Sequence, residues 1–373
     1  MRVGRANRVV SGGVRILLAT RVFPPDVLSG TATVVWNIWD RLRRAHDVRL
    51  VAGWQRDPSL LPTDAKAVRV EGSLRNRVAV EVAVRRAAMT FRPDVVLAHG
   101  LEVPPTLAAT VGLLSDPYAR DEAWGRLRGA RRSLYRRRIT KMAMPVVPSA
   151  AAKRRWADFG VPIERLRVAW PGVDTALFRP DDQGAPMPRT ADDGPIRLLY
   201  AARIMPGKGQ HVAIEAVKGL HDNIRRRVTL DLIGPVVDPA YHESLQRRAV
   251  GAPVTFHGSV SDLVPWYREA HIVLFPTVME EAFGYSAVDG MACGKPVIFS
   301  KNTALLEVTD GIGVAVPAGD VKRLGEAIRM LVKDPDRCEE LGRKGRALVV
   351  ERYSWERAIE RYEQLIGEAA ARG

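Results

Sequence analysis

Two carboxylates and two cations stand out in the 373-residue sequence for the company they keep. Glu281 and Asp289 lie either side of a Phe283-Gly284 pair in the stretch EEAFGYSAVDGMACGKPVIFS. Arg203 and Lys208 lie in AARIMPGKG, where Pro206 and Gly207 make a turn and Gly209 lets the backbone pass close to a ligand. Each stretch follows an apolar strand-like run and precedes a helical one. Two cations at the mouth of a helix, whose free amides already favour anions, suit a diphosphate. A helix starting near Gly284 aims its own amides the same way, and at 1.5 Å rise per residue Asp289 lies about 7 Å along it. A phosphate on that helix end would bring an attached ribose near Asp289, whose carboxylate can accept from two vicinal hydroxyls. Glu281 could accept hydroxyls of whatever lies beyond the phosphate. On spacing alone, a surface turn with solvated charges accounts for the same residues. Neither G-x-x-x-x-G-K-[ST] nor a G-x-G-x-x-G after a strand is present, which argues against ATPase and dinucleotide-dehydrogenase chemistry.

The elements that must position these residues can be read in order. Residues 14–20 form a short apolar run that reads as a buried strand, and Phe23 to Gly30 breaks structure and ends on a glycine. From Thr31, Val34, Val35, Ile38, Trp39 and Leu42 share one face at helical spacing. Strand-like runs recur at 47–52 and 94–98 around a helical segment at 75–91. Such alternation implies a parallel sheet covered by helices. Residues 178–194 are polar, rich in Pro and Gly and without periodicity, and make the best linker candidate. The alternation then restarts. Strands are expected at 196–201, 229–233, 254–257, 272–275 and 296–298. Helices are expected at 210–220, 241–250, 263–269, 285–293 and 321–332, with a last amphipathic helix at 355–371. Two α/β lobes joined by a linker make a cleft, and such lobes bind ligands at the carboxyl ends of their strands.

Composition bounds the rest. Apolar residues are 46% and charged residues 27% of the chain, enough for substantial cores. Cys293 and Cys338 cannot build a disulfide framework, and no Cys/His spacing resembles a zinc site, so a reducing cytoplasm is the expected compartment. The longest apolar stretch, at 103–115, is about 13 residues with two prolines, where a membrane span needs ~20. The basic first fourteen residues are not followed by the apolar core of a signal peptide and read as an extension. The formal net charge of +15 favours polyanionic partners without choosing among them. Between Arg120 and Lys141, nine Lys/Arg face two acids, interleaved with Trp124, Leu127, Leu134, Tyr135 and Ile139. This could be a basic amphipathic face for anionic lipid, placing the protein peripherally on the inner membrane face, or a solvated helix packed on its lobe. A nucleic-acid-binding role finds no recognisable module.

Glu281-Ala-Phe-Gly-Tyr-Ser-Ala-Val-Asp-Gly-Met-Ala-Cys-Gly-Lys-Pro-Val297 resembles the signature E-G-F-G-x-x-x-x-E-A-M-A-x-G-x-P-V of the retaining glycosyltransferases of family 4, which have the GT-B fold. Ala202 to Gly209 is similar to that family's phosphate-binding G-R-x-x-x-x-K-G, and Phe23-Pro-Pro with Ser29-Gly30 to its glycine-containing loop. Residues 93–99, 172–178 and 353–355 match further landmarks in order. The resemblance spans roughly residues 14 to 370. It implies two Rossmann-like α/β/α domains facing a central cleft: an N-terminal acceptor domain at 1–182, a C-terminal donor domain at 190–352, and a helix at 353–373 crossing back to the first. It implies a UDP-, GDP- or dTDP-sugar donor, no metal and no cofactor. Arg203 and Lys208 would hold the diphosphate with the amides of Phe283 and Gly284, Asp289 the ribose and Glu281 the donor sugar, with Gly30 letting the N-terminal loop approach. On the acceptor side it points to His99 and Asp116. The acceptor would be a glycan, lipid-linked or small-molecule hydroxyl.

The sequence departs from the family pattern at three places. Asp289 stands where glutamate is usual, Ala282 replaces a glycine, and no histidine lies near Ser115-Asp116. The strand near Ser115-Asp116 and the helix before it look shortened, which keeps a second reading open, a nucleotide-sugar-binding protein of the same fold with a different coupling reaction or none. Asp334-Pro-Asp336 satisfies D-x-D, the metal motif of the other large glycosyltransferase fold, but precedes a helical run and reads better as a helix cap. Cys293 and Cys338 read as packing residues, and His99 serves as well as a satisfied buried histidine.

Overall fold

The computed structural model describes residues 13–21, 23–24, 30–54, 57–69, 74–99, 108–114, 128–181, 187–190 and 193–372. The chain divides into two compact units, one of residues 1–172 with 355–373 and one of residues 173–354.

The first unit runs β1 (Arg15–Thr20), α1 (Gly30–Leu42), β2 (Asp47–Trp54), β3 (Lys66–Arg69), α2 (Leu74–Phe91), β4 (Val95–His99), β5 (Ala109–Leu113), α3 (Arg128–Lys141), β6 (Met144–Val147), α4 (Ala150–Asp158) and β7 (Arg167–Val168). Its seven strands are parallel and ordered β3-β2-β1-β4-β5-β6-β7. Alternation along β1 shows why the sheet is buried on both sides. Ile16 and Leu18 pack on one face with Val35, Ile38 and Leu42 of α1. Leu17 and Ala19 pack on the other with Val80, Val84 and Ala88 of α2.

The second unit restarts the same logic with β8 (Ile196–Ala201), α5 (Gln210–Lys218), a short α6 (Asp222–Arg225), β9 (Val228–Ile233), α7 (Pro239–Ala249), β10 (Val254–Gly258), α8 (Val264–Glu269), β11 (Ile272–Phe275), α9 (Tyr285–Ala292), β12 (Val297–Ser300), α10 (Thr303–Thr309), β13 (Val314–Val316), α11 (Val321–Lys333) and α12 (Pro335–Arg352). Six parallel strands follow the order β10-β9-β8-β11-β12-β13. The strands expected at 196–201 and 272–275 have those bounds, and the others shift by one or two residues. The apolar pattern did not reveal α10 or β13, which are short. The Asp-Pro-Asp motif caps α12: the Asp334 side chain accepts from the Arg337 amide at 3.0 Å, while Asp336 pairs with Arg189 at 2.9 Å.

The second unit begins at Val173, earlier than the Pro/Gly-rich segment suggests. Arg346 of α12 explains this, because its guanidinium donates to the carbonyls of Thr175, Phe178 and Ala292 and fastens residues 175–178 to this unit. The final helix, α13 (Trp355–Ala370), belongs to the first unit. Its buried face of Trp355, Ala358, Tyr362, Leu365, Ile366 and Ala369 joins the core beneath α1. Gly172 lies so close to the Trp355 ring that a Cβ there would collide with it.

Candidate functional site

In the second sheet the strand order reverses between β8 and β11, since β8 is followed by β9 on one side and β11 by β12 on the other. Crevices form at such reversals, outside the carboxyl ends of the strands. The two stretches that carry the candidate residues are the loops leaving these two strands.

They are locked together. The Val278 and Met279 amides each donate to the Gly207 carbonyl at 3.0 Å. Gly209 (φ +74°) lies against the Pro276 carbonyl oxygen so closely that no Cβ fits between them. The buried Tyr200 hydroxyl donates to the Lys208 carbonyl, and the Ser286 hydroxyl to that of Ala201. The Gln210 amide holds the Arg203 carbonyl at 2.8 Å.

Two helices start here, and both do so without a side-chain cap. Helix α5 is entered from Gly209 and α9 from Gly284 (φ +93°), each in the left-handed region. By contrast, α7, α10, α11 and α12 are capped by the side chains of Asp238, Asn302, Asp320 and Asp334. A capping carboxylate or amide would occupy the first-turn amides; glycine leaves them to an incoming anion.

Lys208 and Glu281 meet at this point. Their Nζ and Oε1 atoms are 2.6 Å apart and both side chains are only 12% exposed, so the pair is largely withdrawn from water. The Thr277 hydroxyl lies 3.0 Å from the same Glu281 oxygen and 3.0 Å from the Gly207 carbonyl. The Lys208 ammonium also sits 5.4 Å from the centre of the Phe275 ring. Arg203 is exposed and makes no ion pair among the described residues. Phe283 is buried, with its ring edge-on to Tyr353.

Asp289 is one turn along α9 from Ser286. Its side chain keeps a little surface, but protein crowds it, and desolvation pushes its carboxyl up from 3.8 to about 8. The charge of Asp289 in turn helps push the Tyr267 hydroxyl and Cys293 thiol upward, behind desolvation as the larger cause. A carboxylate held here gains from any hydroxyl that donates to it.

The structure therefore brings Arg203, Lys208, Glu281, Phe283, Gly284 and Asp289 onto two loops and one helix of a single unit. Sequence reasoning missed Thr277, Tyr200, Ser286 and Asn302, which shape those loops. Asn302 caps α10 and lies 3.5 Å from the Met279 carbonyl. Thr277 alone left a signal, as the first polar residue beyond an apolar run. In the first unit, His99 ends β4 and its Nδ1 is 3.1 Å from the buried Thr20 hydroxyl at the end of β1, where that sheet's order also reverses. Gly30 begins α1. Asp116 lies outside the described residues, as do 100–107.

Residues 195–334 match the family model described as glycosyl transferases group 1, and residues 28–177 match that of glycosyltransferase family 4. The chain belongs to these glycosyltransferases. Among curated relatives, the D-inositol 3-phosphate glycosyltransferase of Streptomyces bingchenggensis is 30% identical over 226 residues, 57% of this chain and 49% of that protein. The MMP alpha-(1->4)-mannosyltransferase of Mycolicibacterium hassiacum is 30% identical over 238 residues, 60% of this chain and 54% of that one. The chain thus spans about half the length of the curated relatives it matches. Solved structures share the fold. Anabaena Alr3699/HepE in complex with UDP and glucose superposes with a TM-score of 0.78 at 17% identity, over 95% of this chain and all of that one. The sucrose-phosphate synthase of Thermosynechococcus elongatus does so with 0.79 at 19% identity, over 96% of this chain and all of that one. Both units are the parallel-sheet α/β domains of the GT-B fold.

Proposed function

We propose that this chain is a retaining hexosyltransferase that moves a sugar from a nucleotide-diphosphate sugar to an acceptor hydroxyl without a metal. The observation that carries this reading is the pair of glycine-entered, uncapped helix ends at the switch point of the second sheet, with Arg203 and Lys208 beside them. The similarity of the fold to a protein solved with UDP-glucose supports it.

In this reading the diphosphate sits on the first turns of α5 and α9 and is neutralised by Arg203 and Lys208. Lys208 exchanges Glu281 for the phosphate, which frees the Glu281 carboxylate to accept hydroxyls of the donor sugar. Asp289 accepts from the ribose. The acceptor oxygen attacks the anomeric carbon from the face the leaving group departs. The bond from that carbon to the phosphate oxygen breaks, and the acceptor proton passes to the departing phosphate. Charge builds on that phosphate in the transition state, so fixed donors around it are the main catalytic term. His99 contacts the acceptor.

Thermal unfolding against UDP, GDP, dTDP and ADP should show stabilisation by one nucleoside diphosphate, and the matching nucleotide sugar should be slowly hydrolysed or transferred. Arg203→Ala and Lys208→Ala should each lower turnover by about a hundredfold or more. Unchanged turnover in both variants would sink the assignment.

A further inference from the structure

The chain's positive charge is one-sided. The first unit holds 34 Lys+Arg against 18 Asp+Glu, whereas the second holds 23 against 24. Within the first unit the surplus is concentrated again. Helices α2, α3 and α4, on one side of the sheet, carry 14 Lys+Arg against two acids; α1 and α13, on the other, carry three against five.

The basic layer is continuous. Arg138 of α3 pairs with Glu81 of α2 at 2.7 Å, one of the layer's two acids. Arg132 of α3 stacks over the Phe159 ring that ends α4. The outward faces mix cations with apolar side chains at helical spacing. On α2, Val82, Arg85, Arg86 and Met89 follow one another at i, i+3, i+4 and i+7, and all four are exposed. On α3, Leu134, Arg137 and Lys141 do the same. Met89 is 59% and Leu134 52% exposed, so these large apolar groups are held in water with no protein partner for most of their surface. Arg85, Arg86, Arg137 and Lys141 make no ion pair among the described residues.

We propose that the α2–α3 face docks on an anionic lipid surface, with Val82, Met89 and Leu134 entering the headgroup boundary and the arginines and Lys141 meeting lipid phosphates. Charge complementarity sets the sign of the partner, and the apolar side chains decide its class. A lipid interface accepts aliphatic groups between cations, while a nucleic-acid backbone offers them nothing. Of the segment read from sequence at 120–141, residues 120–127 lie outside the described residues. Helix α3 supplies one half of the face with seven Lys+Arg and no acid, and α2 supplies the other with four against one, a weaker signal in the sequence.

Sedimentation with vesicles of phosphatidylcholine containing phosphatidylglycerol tests this, with pure phosphatidylcholine vesicles as the comparison. The wild-type protein should bind only the anionic vesicles, and less so as salt rises. The triple variant Arg85→Glu/Arg86→Glu/Arg137→Glu should bind roughly a hundredfold more weakly. Arg247→Glu, exposed on α7 of the second unit, should bind as wild type. Met89→Ser/Leu134→Ser keeps every charge and should still lose several-fold on vesicles, while its affinity for a random single-stranded oligonucleotide stays unchanged. Unfolding curves matching the wild type confirm that each variant is folded. If the triple variant binds vesicles no worse than Arg247→Glu, the α2–α3 face is not the docking surface. Wild-type vesicle affinity in Met89→Ser/Leu134→Ser would overturn the assignment to lipid in favour of a general polyanion surface. Vesicle binding reads no turnover, so either failure leaves the proposed reaction standing.

Discussion

At the residue scale, the site is built around a cation and a carboxylate that pair with each other across two loops. Lys208 and Glu281 are each too withdrawn from water to lose a partner cheaply. Glu281→Gln should therefore cost about 2 kcal/mol in urea unfolding, and Lys208→Met a similar amount. The double variant should cost clearly less than their sum, because no charge is then left unpaired. Asp289 behaves in the opposite sense. Between pH 4 and 8 the folded protein retains a proton on Asp289 that the unfolded chain has lost, so stability falls as pH rises through that window. Asp289→Asn removes the titration. Its melting temperature relative to wild type should rise progressively from pH 5 to pH 8 by the equivalent of a few kcal/mol, and a constant difference would show that the carboxyl is not desolvated. Sequence reasoning found Glu281 and Asp289 by type and spacing. It could not find their opposite electrostatic settings, because burial and a partner from another loop are not local properties.

At the element scale, the decisive residues are glycines, which sequence reading placed at a close approach (Gly209) and a helix start (Gly284) without showing their left-handed backbone. Gly284 begins α9 with a positive φ, and a Cβ there would run into the Leu305 side chain. Gly284→Ala should destabilise the protein by about 1–3 kcal/mol and weaken nucleotide-dependent stabilisation more than a change at the exposed Arg247 of α7. Calorimetry with and without the nucleoside diphosphate separates the two effects. Strong periodic elements were legible, as in α11, whose buried Leu324, Ala327, Ile328 and Leu331 fall on one side. β13, of three residues, and α10, of seven, were not read. Cys293 and Cys338 are buried and their thiols are pushed up to about 12, with desolvation the largest cause. Both should resist thiol reagents in the native protein and react on unfolding, which a colorimetric thiol assay reads directly.

At the scale of the whole molecule, the chain's last helix completes the core of its first unit. Removing residues 355–373 would expose the faces that Tyr362, Leu365 and Ile366 now cover. The truncated protein should lose a cooperative transition belonging to the first unit while the second unit still melts, a difference visible by calorimetry or proteolysis. Gly172→Ala should mimic this more mildly by pushing Trp355 off its place.

The sequence by itself determined the alternation of strands and helices, the positions of five of the second lobe's six strands, and the two stretches on which a phosphate and a sugar could be held, because each of these is a local pattern of apolar period, glycine and charge. Only the tertiary structure decided that β8 and β11 are neighbours, so that Lys208 and Glu281, 73 residues apart, become a single ion pair. It also placed α2 beside α3, making one basic face from two helices. Neighbourhood in a parallel sheet is set by long crossovers, and no local pattern records which distant strands will pair.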